Sequence, residues 1–143
     1  MNGNDQQLGI AVDVPMNHDT AIEAVTAALK TEGFGVLTRI NVRDTLKEKI
    51  GVDFRDYTIL GACNPVLAHQ ALTAASTIGL MLPCNVTVEA LEPDTCRVTL
   101  ADPMAMLTMV ENKEMEGIAT EARSRLVRVA EALESGTNSS SEG

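Results

Sequence analysis

Two cysteine–asparagine pairs, each beside a proline, are the residues best suited to chemistry: Cys63-Asn64-Pro65 and Pro83-Cys84-Asn85. A thiolate is a nucleophile, a redox centre and a ligand for soft metals. A thiol just ahead of a helix also feels the positive end of the helix dipole, which favours the thiolate. Cys63 has that position if Asn64 caps a helix and Pro65 opens it. Cys84 opens a later apolar run, and Asn85 falls on the polar side of it, where an amide can orient a ligand. His69 follows Cys63 as Cys-x5-His, which is not an established ligand spacing. Even so, Cys63, Cys84 and His69 form a soft donor set that suits Cu(I) or Zn. Met104, Met106 and Met109 would add thioethers to it. Each of these residues also has a plain structural use. Cys63 fits a tight strand–helix junction beside Gly61 and Ala62, Cys84 and Cys96 fit a core, His18 and His69 suit a surface, and methionines fill gaps.

These residues need elements to hold them. Leu8, Ile10, Val12 and Val14 alternate along a half-buried strand. Thr20 and Glu23 have capping-box spacing for a helix carrying Ile22, Val25, Ala28 and Leu29, with Gly33 at its end. Phe34, Val36, Ile40 and Val42 then share one strand face, with Arg39 and Asn41 opposite. A short charged helix spans Arg43 to Ile50. Tyr57 to Cys63 is apolar on both sides and reads as a central strand. From Pro65 to about Ser76 a helix buries Leu67, Ala68, Ala71, Leu72 and Ala75. Two strands follow, with Cys84, Val86, Val88, Cys96, Val98 and Leu100 inward, joined across Glu92-Pro93-Asp94 by a loop of about 3–5 residues. A short helical turn at Asp102-Pro103 precedes a long amphipathic helix with Met115, Ile118, Ala119, Ala122, Leu126, Val129, Ala130 and Leu133 on one side.

The resulting order is β-α-β-(α)-β-α-β-β-α. It predicts an α+β two-layer sandwich, with helices packed on one face of a roughly five-stranded mixed sheet. The uncovered face is expected to carry Leu37, Arg39, Thr87, Glu89, Arg97 and Thr99. A helical connection between the third and fourth strands favours parallel pairing if they are neighbours, and parallel pairing would keep Cys63 and Cys84 apart. The domain is expected over 8–134, between a flexible 1–7 and a disordered Ser/Gly-rich tail at 135–143.

Composition narrows the function. With 143 residues the chain is one domain, and 45% hydrophobic residues suffice for a core. Aromatics are only 2%, so Val, Leu, Ile, Ala and Met must fill it. A net charge of −9 without a basic cluster argues against nucleic acid and anionic membranes as partners. The first residues have neither the positive nor the apolar segment of a leader, and no apolar run reaches membrane-span length. The chain is expected in the cytoplasm, where three cysteines remain free thiols.

Taken consecutively, Thr45 to Phe54, Tyr57 to Pro65, Ile78 to Val86 and Asp102-Pro103 resemble the domain of unknown function 302 family. The pairing of Gly-Ala-Cys-Asn-Pro with Leu-Pro-Cys-Asn-Val is the most specific part. The resemblance covers roughly residues 8–134. It implies a small α+β domain that tends to form homodimers, and it brings no activity or cofactor with it.

No Ser-His-Asp order, phosphate loop, dinucleotide fingerprint or paired-carboxylate spacing is present. The reading is therefore a dimeric binding module rather than an enzyme, holding a small molecule or soft metal ion near Cys63, Asn64, His69, Cys84 and Asn85. The alternatives are a thiol-dependent enzyme or redox protein using Cys63, and a scaffold whose cysteines only pack.

Overall fold

The computed structural model describes residues 8–142 except Thr108, with side chains up to Gly136. The elements are β1 (Gly9–Val14), α1 (His18–Thr31), β2 (Gly35–Asn41), α2 (Val42–Ile50), β3 (Tyr57–Cys63), α3 (Pro65–Ala74), a 3₁₀ segment (Ser76–Met81), β4 (Cys84–Glu92), β5 (Thr95–Ala101), α4 (Pro103–Leu107) and α5 (Lys113–Glu142). The flexible segment expected at 1–7 lies outside the described residues, as does Gly143. The tail expected to be disordered falls mainly on residues whose side chains are not described.

The fold is α+β, as the pattern predicts, but its sheet is antiparallel throughout rather than mixed. The strand order is β1-β5-β4-β3-β2, and all four pairings are antiparallel. The correction comes from the β3–β4 connection. Instead of crossing the sheet, α3 runs out and the 3₁₀ segment doubles back. Ile78 of that segment is buried with Ala71 of α3, so β4 starts at the end where β3 finished. The β4–β5 hairpin turns in two residues, Pro93 and Asp94, since Glu92 already pairs with Thr95.

Strand β2 also departs from expectation. Val36 pairs with Ala62, but Thr38 pairs with Gly61, so Leu37 is an extra residue in a bulge. A bulge reverses the alternation beyond it. Ile40 therefore shares the uncovered face with its partner Ile59, and Arg39 lies opposite Leu60 on the helix side. Val42 has already entered α2. Thr87, Glu89, Arg97 and Thr99 lie on the uncovered face as predicted. There Arg97 grips Asp13 with two hydrogen bonds, at 2.7 and 3.1 Å, and Arg55 bonds Glu89 at 3.0 Å.

The ends of α1 are set by local bonds. Asn17, not Thr20, is the N-cap, and its Oδ1 accepts from the Thr20 amide at 2.9 Å. At the other end Gly33 has φ +85°, and Phe34 and Gly33 donate to Leu29 and Lys30 carbonyls at 3.0 and 3.1 Å. This left-handed close is the Schellman arrangement. It turns Phe34 into the core, where it is 3% exposed.

Two apolar clusters result. The larger lies between the sheet, α1 and the later turns of α5, and includes Leu29, Leu60, Val86, Val98, Leu126 and Val129. The smaller gathers Ala71, Ile78, Leu107, Met115 and Ala119 from α3, the 3₁₀ segment, α4 and the start of α5. Helix α5 serves both because its stripe follows helical spacing along its length. Of the five residues expected to be buried along α3, only Ala71 is so; Leu72 is 41% exposed.

Leu126→Ala is expected to cost about 2–5 kcal/mol, read as a lower urea midpoint. Exposed Leu80→Ala should leave the midpoint nearly unchanged. A second expectation concerns acid. The hydrogen bond and charge of Arg97 hold the Asp13 carboxyl below its ordinary value. Its contribution is therefore full above the ordinary carboxylate range and lost as pH falls through the lowered value. The pair is half-exposed, so the effect is small. The stability gap between wild type and Asp13→Asn should be present at pH about 7 and closed by pH about 2.

Candidate functional site

The two cysteine–asparagine pairs meet at one end of the β3–β4 ladder, where Ala62 pairs with Cys84 and Gly61 with Asn85. Cys63 ends β3 and Cys84 begins β4, so antiparallel pairing brings together two thiols that parallel pairing would have separated. Both are free, half-buried thiols. They line one cavity of about 30 Å³ together with Phe34, Asn64, Leu67 and Ala122. A space of that size has room for a water molecule. Its walls also include Ala62 and Ala71, one from each apolar cluster, so the cavity marks the seam between the two.

Burial pushes the Cys84 thiol above its ordinary value, and the neighbouring Cys63 adds to the rise. A raised value keeps Cys84 protonated near neutrality and makes it a poor nucleophile. Cys96 sits apart, fully buried in the larger cluster. Burial raises its thiol too, with a smaller push from Asp56.

The two asparagines have different environments. Asn64 is 8% exposed and caps α3, its Oδ1 accepting from the Leu67 amide at 3.1 Å. Its Nδ2 donates to the Glu32 carbonyl at 3.4 Å, which also accepts from Arg125 Nη1 at 3.0 Å. Asn64 thus joins the start of α3 to the end of α1 and to α5. Gly33 makes room for this joint, since a Cβ there would sit 2.9 Å from Asn64 Nδ2.

Asn85 is exposed on the uncovered face, and its side chain makes no hydrogen bond among the described residues. It helps to line a pocket of about 380 Å³ with Thr38, Ile40, Leu80, Met81 and Met106. Asn85 lies between small neighbours. Gly61 pairs with Asn85 on one side, and Ala101 follows on the other by continuing the Val86–Leu100 register. A Cβ on Gly61 would collide with Thr38 Oγ1 and lie 2.8 Å from Pro83 Cγ. The chain reaches this point through a cis Leu82–Pro83 bond. Cys84 borders both spaces, as do Leu82 and Leu107.

Of the proposed donors, Cys63 and Cys84 share a cavity, whereas His69 is exposed on α3 and lines neither space. Among the described residues no group of three or more His, Cys, Asp or Glu is placed to hold a metal. Met106 borders the open-face pocket, and Met109 is 70% exposed. His18 is occupied with Thr58, at 3.1 Å from Nε2 to Oγ1. Thr38 belongs to the site but gave no sequence signal, and the seam residues Phe34 and Ala122 signalled only core positions. Thr38 reaches the pocket only because of the bulge.

A family model described as Domain of unknown function DUF302 matches residues 10–133. The chain is similar to a solved structure, the crystal structure of an uncharacterized conserved DUF302 protein from Bacillus stearothermophilus. The two are 31% identical with a TM-score of 0.80, over 88% of this chain and 98% of that one. No curated protein matches the chain. No helix among the described residues is long and apolar enough to cross a membrane.

Gly33→Ala should cost about 1–2 kcal/mol for the left-handed backbone alone, and more for the Asn64 contact it crowds, measured by urea unfolding. Alkylation of Cys84 against pH should give a midpoint above the ordinary thiol value of 9.0. Cys63→Ser should lower that midpoint part of the way, because burial is the larger cause.

Proposed function

The chain belongs to the domain of unknown function DUF302 family, and we propose that this member is a small binding module that holds a ligand at the start of β4. One observation carries the reading: the Asn85 side-chain amide, without a hydrogen bond among the described residues, lies on the wall of a 380 Å³ pocket that Cys84 also borders. Pockets for small molecules span roughly 300–1,000 Å³ and combine apolar walls with a few convergent polar groups. Catalysis is less well supported. Cys84 is held protonated by burial, and His69, the nearest candidate base in sequence, lies outside the cavity that Cys63 lines.

The thiol pair supports a second reading. Cys63 and Cys84 line one cavity, and Cys63 adds to the rise in the proton affinity of Cys84, so the pair offers two soft donors of the kind that suit a monovalent ion such as Cu(I). Binding would release the two protons. We also infer a homodimer that pairs across the uncovered sheet face. Its support is a sheet surface on which Asp13, Arg97 and Glu89 alternate in sign beside Thr99, Thr87 and Ile59.

Native mass spectrometry of protein purified without chelator should reveal a non-covalent adduct that Ala101→Leu, which narrows the pocket, abolishes. An adduct lost instead in Cys63→Ser and Cys84→Ser, and restored by Cu(I) in wild type only, would transfer the function to the thiols. A bare protein mass under every condition would defeat both readings. Sedimentation should give twice the chain mass, falling to the single-chain mass in Ile59→Lys.

A further inference from the structure

We propose that the open-face pocket selects a neutral, mostly apolar molecule with one amide-like polar end, seated with that end on Asn85 and Thr38; this rests on the reading of the pocket as the ligand site. Its lining contains no Asp, Glu, Lys, Arg or His. The side-chain polarity comes from the Asn85 amide and the Thr38 hydroxyl, with the Cys84 thiol at the margin. An amide offers both a donor and an acceptor, and a hydroxyl does the same. The complement is therefore a group that also donates and accepts, such as a carboxamide or lactam.

A charged ligand is disfavoured from two directions. Inside the pocket nothing would offset the loss of water around an ion, and burying an unpaired charge is expensive. Outside it, a net charge of −9 repels anions before they arrive. A cation would be drawn to the surface but would find no carboxylate in the pocket.

The body of the ligand meets Ile40, Leu80, Met81, Pro83, Met106 and Leu107. Leu80 is 88% exposed at the lip, so a bound molecule would cover an apolar side chain that water now surrounds. Two methionines in the wall provide an adaptable surface, because an unbranched thioether repacks easily. Shape selection should therefore be loose and polarity selection strict. A flat, ring-sized body fits between the 3₁₀ segment and the sheet, where Ala101 leaves the floor low.

Benzamide, benzoate and benzylammonium test this, since they share a ring and differ in charge. Each is titrated into the full-length protein and followed by amide and methyl NMR shifts. Benzamide should shift the Asn85 side-chain amide and show contacts to Leu80 and Met106 methyl groups, while the two ions bind at least tenfold more weakly. Asn85→Ala should weaken benzamide at least tenfold, with the backbone spectrum otherwise retained. Equal or tighter binding of either ion at these same residues would overturn the neutral class and leave the pocket as the ligand site. Contacts elsewhere, or no binding of any of the three, would overturn the class and the pocket assignment together. The contacts are measured on wild type, so they decide the matter even if Asn85→Ala folds poorly.

Discussion

The pairing of Ala62 with Cys84 is the constraint on which the site depends. It is not fixed by the thiols. Leu60 lies opposite Val86, and Thr58 opposite Val88, with all four buried. A slip of one residue would carry Val86 and Val88 out to the uncovered face, at roughly 1.5–3 kcal/mol for each side chain exposed. The core therefore locks the register, and the register assigns Cys84 to the helix side and Asn85 to the open side. The site is a by-product of where the valines have to go.

Local signals in the chain were legible for local reasons. Asn64 and Pro65 announce a helix start because a capping amide and a fixed φ act within one turn. The stripe from Met115 to Leu133 announces α5 because burial repeats every three or four residues. The alternation of Cys84, Val86 and Val88 announces their inward face because burial in a strand repeats every two residues. What remained hidden was non-local. Alternation in β2 could not reveal that Leu37 bulges, so Arg39 and Ile40 were assigned to the wrong faces. A helix between β3 and β4 looked like a crossover, because nothing before Ser76 signals that the chain will turn back. The proximity of Cys63 to Cys84 follows from that return, and so does the open-face pocket.

The two asparagines show how one dipeptide acquires unrelated work. Asn64 is spent on structure, with both ends of its amide engaged at a joint between three helices. Asn85 sits on a strand whose neighbours are Gly61 and, one step along, Ala101, and its amide is left free. The difference comes from where each lies along its element: one at a strand–helix corner, the other in a ladder whose backbone groups are already paired.

The seam between the two apolar clusters places the thiols on a boundary and not inside either cluster. Ala71, Ile78, Leu107, Met115 and Ala119 form a unit built largely from the excursion between β3 and β4 and the start of α5, while the sheet is held by the larger cluster. A side chain enlarged at Ala62 or at Ala71 would fill the same small space, so the packing of the sheet and that of the excursion are coupled at the two thiols.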